Sequence, residues 1–366
     1  MPKIVVRNYN GILDTFIELL KTQNLYTENH HEADCLVTWQ DVRGAEKELV
    51  EIYKKRLNKP VVVVEHGRGA TRDYCEPNKF PLLADKICVW GIKDIKRLRK
   101  IGVSEDRMVV TGSPLLARIK PRNLQRPGRN ILFVPIVSSK EEPENLLVYA
   151  ELKKWEYQKV SEVLSEHFND FKRAWAWKEN EYRGVVLKDG TVEQRLWSDD
   201  TVNKLPRFLT YNKGFIHVKL TDVHDEHQYL SPIIKTGQGS KDHIDTLVSL
   251  LADIDLVVCL EDGTIQLLAY AMGIPVILCN IFRYGRYGGV DNYDRVEKII
   301  SPAAYVCGLE RLPYFIDYCF SHLNEKNNQK IQTVNEEMGG DIALKADENI
   351  LGVVTELVSK RELVPA

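Results

Sequence analysis

The residues best placed to do chemistry lie between positions 253 and 279, DIDLVVCLEDGTIQLLAYAMGIPVILC. The short apolar run 256–260 reads as a parallel strand covered on both faces. The turn Glu261-Asp262-Gly263-Thr264 breaks it and a helix starts; Gly273, Ile274 and Pro275 stop that helix, and 276–279 is the next strand. A glycine turn feeding a helix N-terminus is an anion site, because backbone N–H groups and the positive end of the helix dipole point the same way. The ligand expected here carries phosphate, most simply a nucleotide-linked donor. Gly263 and Thr264 are the phosphate candidates, and Thr264 can cap the helix as well as bond a phosphate oxygen. Glu261 and Asp262 suit sugar or ribose hydroxyls, and Gln266 on the first helical turn can reach the same ligand. Capping alone is the plainer reading of Thr264 and of the two carboxylates.

A second constellation follows four consecutive valines: Glu65-His66-Gly67-Arg68-Gly69. A strand end places His66 at the edge of a sheet where ligands bind, and an imidazole titrates near neutrality, as a general base must. Gly67 and Gly69 permit close backbone approach. Arg68 suits a phosphate or carboxylate, and Asp73 is a second base or an orienter of His66. A histidine that merely ties down its loop is the alternative. Gly112-Ser113-Pro114, after another strand, is a phosphate turn at a domain junction or a plain turn. Lys219 ends a strand and can neutralise donor phosphates. His224, Asp225 and His227 lack a partner cluster for a metal and read as a solvated loop.

The surrounding elements alternate. Strands are expected at 3–7, 35–39, 61–65, 87–90 and 108–111, with helices at 12–22, 45–57 and 93–101 between them. The stretch PRNLQRPGR at 121–129 reads as a linker. A second series begins at 131–135, with a helix at about 145–166, a strand at 215–219 and a helix at 243–251 before the opening motif; from 299 onward the chain reads as mostly helical. Repeated strand–helix–strand units imply parallel sheets wrapped by helices. With 366 residues, two such domains are expected: 1–122, 123–345, and a final helix at 346–366 crossing back to the first. The segment 172–213 has no clear periodicity.

Composition narrows the class. A net charge of −2 exerts no global pull on nucleic acid, although Lys93, Lys96, Arg97, Arg99 and Lys100 make one helix locally basic. No apolar run reaches the roughly 20 residues of a membrane helix, and the N-terminus lacks a signal-peptide pattern. Seven scattered cysteines without a CxxC pair fit a reducing compartment, so a cytoplasmic location is expected.

Two segments carry a family resemblance: VVVVEHGRG followed by ADKICVWGIKDIKRLRKIGVSEDRMVVTGSP, and LLADIDLVVCLEDGTIQLLAYAMGIPVILC. They resemble the GT-B glycosyltransferase superfamily, in particular CDP-glycerol glycerophosphotransferases and UDP-N-acetylglucosamine 2-epimerases. The resemblance implies an α/β protein of GT-B type, with two Rossmann-like domains whose parallel sheets face an interdomain cleft. The acceptor would sit mainly on the first domain and a nucleotide diphosphate-sugar, UDP-sugar first, on the second, with no metal or resident cofactor. Gly263 and Thr264 match the pyrophosphate turn, and His66 the loop histidine that some relatives use as a base. Leu267 and Leu268 stand where many relatives carry a ribose-binding Glu, and Glu65 stands where the glycerophosphotransferases carry Trp. Sugar transfer to a hydroxyl acceptor is the expected activity. The acceptor is unspecified, with a polyanion such as modified DNA among the options. A 2-epimerase-like reaction and non-catalytic nucleotide-sugar binding are the alternatives.

Overall fold

The computed structural model describes residues 2–8, 11–41, 44–67, 83–100, 102–120, 131–134, 172–173, 185–186, 192–193, 215–220, 234–235, 248–249, 251–252, 254–259, 263–279 and 301–362. The strands are β1 (Ile4–Val6), β2 (Cys35–Thr38), β3 (Val61–Val64), β4 (Lys86–Val89), β5 (Met108–Val110), β6 (Ile131–Val134), β7 (Lys172–Arg173), β8 (Val185–Val186), β9 (Val192–Glu193), β10 (Phe215–Leu220), β11 (Ile234–Lys235), β12 (Leu256–Cys259), β13 (Val276–Cys279) and β14 (Ala304–Cys307). The helices are α1 (Asp14–Thr22), α2 (Gly44–Glu51), α3 (Ile92–Lys100), α4 (Thr264–Ala271), α5 (Leu312–Ser321), α6 (Asn327–Met338) and α7 (Ala346–Glu362).

The first sheet pairs β1 to β5 in sequence order, all parallel. Its strands are short and apolar without alternation because both faces are covered. Ile4, Val6, Cys35, Val37, Val62 and Val64 pack with Phe16 and Leu20 of α1 and with Ile350, Val354 and Val358 of α7. Val5, Leu36, Val61, Val63, Ile87 and Val89 belong to a second cluster with Val50 of α2, Tyr53 and Leu98 of α3. Each wholly buried aliphatic side chain contributes about 1.5–3 kcal/mol. The helix expected over 45–57 is α2 continued by a π-helical turn, Ile52–Arg56.

The second sheet has the order β11-β10-β6-β12-β13-β14, with β7 also paired to β10, and every pair is parallel. The chain passes from β6 to β10 on one side and then to β12 on the other. The strand order therefore reverses between β6 and β12. Such a switch point opens a crevice at the carboxyl ends of the two strands, the usual ligand position in open α/β sheets. Beyond residue 301 the chain is mostly helical, as expected, with β14 as an added strand: four residues are too short for periodicity to reveal, and pairing with β13 decides the matter. β8 and β9 form a separate antiparallel pair within 172–213. The helix expected at 145–166 lies outside the described residues.

Two C-terminal elements join the halves. Helix α6 packs against both α4 and α3, and α7 packs against α1. Among the described residues no helix is long and apolar enough to cross a membrane.

Candidate functional site

Strand β3 delivers His66 to the edge of the first sheet. Its four valines are buried, and the chain then leaves the sheet through buried Glu65 and half-buried His66. His66 Nδ1 lies 3.2 Å from the carbonyl oxygen of Trp39, the residue following β2. A carbonyl only accepts, so Nδ1–H donates and the neutral ring carries its lone pair on Nε2. The Trp39 ring meets the imidazole edge to face, with centroids 4.7 Å apart and planes at 80°. Two neighbouring strand ends thus orient one histidine. Trp39 was not a sequence candidate; only the pairing of β2 with β3 brings it to His66.

Strand β12 ends at Cys259, and α4 opens at Thr264 behind Gly263. Gly263 has no side chain with which to cap the helix, so the dipole's positive end is not masked by a capping oxygen from that residue. Gln266 reaches back to Gly263: its Oε1 accepts the Gly263 N–H at 3.4 Å, and its own N–H donates to the Gly263 carbonyl at 3.2 Å. Gln266 is only 1% exposed. Its side chain therefore folds back onto the start of the helix. Gly263 and Thr264 are half-buried, so this turn remains open to a ligand.

These two edges meet. A Cβ placed on Gly67 would lie 3.0 Å from Thr264 Oγ1. The residue after the histidine therefore lies within a side chain's reach of the first residue of α4, across the two sheets. The structure brings together His66, Gly67, Gly263 and Thr264. Arg68, Gly69, Asp73, Glu261 and Asp262 lie outside the described residues. Lys219 lies in β10, opposite Ile234 of β11.

Gly112 and Ser113 do other work. Gly112 has φ +82°, and a Cβ there would stand 2.3 Å from Ala343 Cα. The Ser113 N–H donates to the Met338 carbonyl at 2.9 Å, and Ser113 is wholly buried. This turn is filled by the returning chain, not by phosphate. Gly91 and Gly339 complete the same seam: their added Cβ atoms would come within 2.1 Å of the Glu336 carbonyl oxygen and 2.7 Å of the Trp90 carbonyl oxygen. Asn349 Nδ2 donates to the carbonyls of Thr111 and Ile342, each at 3.1 Å.

The basic helix is also partly explained by this seam. Lys93 Nζ pairs with Glu336 at 3.2 Å and Glu337 at 3.1 Å, while Arg97 contacts Asp94 at 2.7 Å and Glu337 at 3.6 Å. Arg99 pairs with Glu105 at 2.6 Å. Three of the five cations face internal acids, which weakens the case for a polyanion-binding face. Among the described residues no His, Cys, Asp or Glu group is arranged to hold a metal. The six described cysteines are buried and form no disulfide with one another, and burial pushes the Cys88 and Cys319 thiols up to about 12.

The sequence matches no protein-family model. No curated protein sequence matches it either. Solved structures do resemble its fold. The S. aureus MnaA–UDP structure aligns over 100% of this chain and 99% of its own, with TM-score 0.53 and 12% identity. The Methanocaldococcus jannaschii UDP-GlcNAc 2-epimerase in complex with UDP-GlcNAc and UDP covers 97% of this chain and 99% of its own, with TM-score 0.50 and 14% identity. The wall teichoic acid polymerase TagF covers 100% of this chain and 90% of its own, at TM-score 0.49 and 12% identity. At these identities the likeness concerns the fold. The chain has the GT-B-type architecture, two Rossmann-like α/β units with parallel sheets.

Proposed function

We propose that this protein is a glycosyltransferase of GT-B type that moves a sugar from a nucleotide diphosphate-sugar to a hydroxyl acceptor without a metal ion. The closeness of Gly67 to Thr264, a single added Cβ apart, carries this reading, because it sets the histidine loop beside a helix start suited to an anion. His66 accepts the proton of the acceptor hydroxyl on Nε2 while Trp39 holds its Nδ1–H. The first-turn N–H groups of α4 and the Thr264 hydroxyl stabilise the negative charge that develops on the departing diphosphate. Arg68 and Lys219 are further partners for that charge, Glu261 and Asp262 for ribose or sugar hydroxyls, and Asp73 for His66. The UDP named for two of the similar structures makes UDP-sugars the first donors to try.

A thermal-shift screen across UDP-, GDP-, CDP- and dTDP-sugars is expected to single out one nucleotide, since a ligand that binds only the folded chain stabilises it by mass action. His66→Ala is expected to lower transfer by about 10²–10⁴-fold with donor binding retained; unchanged turnover would remove the base. Conversion of a UDP-sugar to its epimer in the absence of any acceptor would favour the epimerase alternative. Donor binding with neither transfer nor hydrolysis would leave a binding protein.

A further inference from the structure

The residue before His66 opens onto a buried group of acids that the reaction does not use. Glu65 is 4% exposed, and its Oε2 accepts the Trp90 N–H at 3.2 Å. Asp94, 3% exposed, accepts the next amide, Gly91 N–H, on Oδ2 at 3.3 Å. The two carboxyl groups thus hang on consecutive amides and lie within hydrogen-bond reach of one another. Glu65 Oε1 is buried and receives no donor from a described residue.

The charges around the pair come from three elements. Glu65 follows β3, with His66 next in the chain. Lys93, Asp94, Lys96 and Arg97 lie on α3, and Glu336 and Glu337 on α6. Arg97 bridges Asp94 and Glu337, and Lys93 bridges Glu336 and Glu337. Lys96 acts on Glu336. The close cations therefore pair with Asp94, Glu336 and Glu337, while Glu65 forms no ion pair among the described residues. Ionised, it would be a buried charge against a second buried carboxylate, an arrangement that real interiors avoid by holding a proton.

We propose that Glu65 and Asp94 share one proton across their facing carboxyl groups, and that this proton joins the His66 strand end to the α3–α6 seam. Glu65 is the donor and Asp94 the acceptor, because Arg97 favours the ionised form of Asp94. Burial first, and the Asp94 charge second, hold the Glu65 carboxyl well above the usual carboxylate range. The sign follows from linkage. A carboxyl whose folded value is raised binds its proton more tightly in the folded chain. Its stabilising effect is complete below the ordinary carboxylate range and is lost as pH rises through the raised value.

Glu65→Gln tests this, since a carboxamide keeps both the donor to Asp94 and the acceptor for Trp90 N–H. Urea unfolding would be followed from about pH 5 to about pH 9 in both chains. The wild-type unfolding constant is expected to rise with pH by up to about tenfold per unit relative to Glu65→Gln, the signature of one proton released on unfolding. The infrared spectrum of the folded wild type should carry a buried carboxylic-acid C=O band that Glu65→Gln lacks. Asp94→Asn, which removes the facing charge, should move the wild-type transition to lower pH. Parallel pH profiles, no acid band, or a Glu65→Gln chain that fails to fold would each overturn the proposal.

Discussion

Two of the places where the halves of the molecule approach each other, among the described residues, differ in kind. At the seam, Gly91, Gly112 and Gly339 let backbone lie on backbone, and Lys93 and Arg97 are clamped to Glu336 and Glu337. At the cleft, the contact is one backbone position, Gly67, against one rotatable hydroxyl, that of Thr264. The seam is built from atoms that cannot move aside, whereas the cleft is built from atoms that can. The same residue type serves both: glycine makes the seam rigid by permitting close approach, and makes the cleft open by leaving space.

The largest effect should come from breaking the seam. Gly91→Ala drives a Cβ to 2.1 Å from the Glu336 carbonyl oxygen, and Gly112→Ala adds a left-handed φ to a 2.3 Å backbone clash. Each is expected to lower unfolding free energy by about 3 kcal/mol, measured by denaturant unfolding. Gly67→Ala is the matched control at the cleft. Among the described residues its Cβ meets Thr264 Oγ1 alone, at 3.0 Å, so stability should change by less than about 1 kcal/mol while the proposed transfer falls about tenfold or more. If Gly67→Ala unfolds the chain as readily as Gly91→Ala, the contrast between the two contacts is lost.

Glu337→Ala should be milder than the loss of a fully buried ion pair. Glu337 is 2% exposed, but its partners Lys93 and Arg97 retain 29% and 26% side-chain exposure and keep access to water, Glu336 and Asp94. A loss of about 1–2 kcal/mol is expected, against the 3–5 of an uncompensated buried charge.

The finest test concerns the link between the regions. Lys330 of α6 is 2% exposed and donates to the carbonyls of Gly273, at 2.6 Å, and Leu323, at 3.2 Å. It thereby ties α6 to the end of α4 opposite Thr264. Burial lowers its amine from 10.5 to about 8. The unfolded chain therefore binds the extra proton between those values, so this group alone makes stability rise with pH across that window. An NMR titration of Lys330 should show a midpoint near about 8, and Lys330→Met should remove its part of the rise. A midpoint in the ordinary lysine range would break the link.

Much of the fold was legible. The valine strand, the 256–279 strand–turn–helix–strand and the strands of the first sheet announce themselves because a doubly covered parallel strand must be continuously apolar. The glycine turn was legible for a similar local reason, since Gly263 before a helix brings no capping side chain of its own. β14 was hidden in a stretch read as helical, as its four residues become a strand only beside β13. The burial of Gln266 was not legible, because neighbouring elements decide whether a first-turn side chain is covered.

Local residue order alone therefore determined the elements, the histidine loop and the glycine turn, because periodicity and turn chemistry act over a few neighbouring residues. Packing alone decided that Gly67 lies beside Thr264, that Gly112 and Ser113 serve the returning chain, that Trp39 holds His66, and that Glu65 faces Asp94. Those pairs are distant in the chain, and sterics and desolvation act only once the chain has brought them into contact.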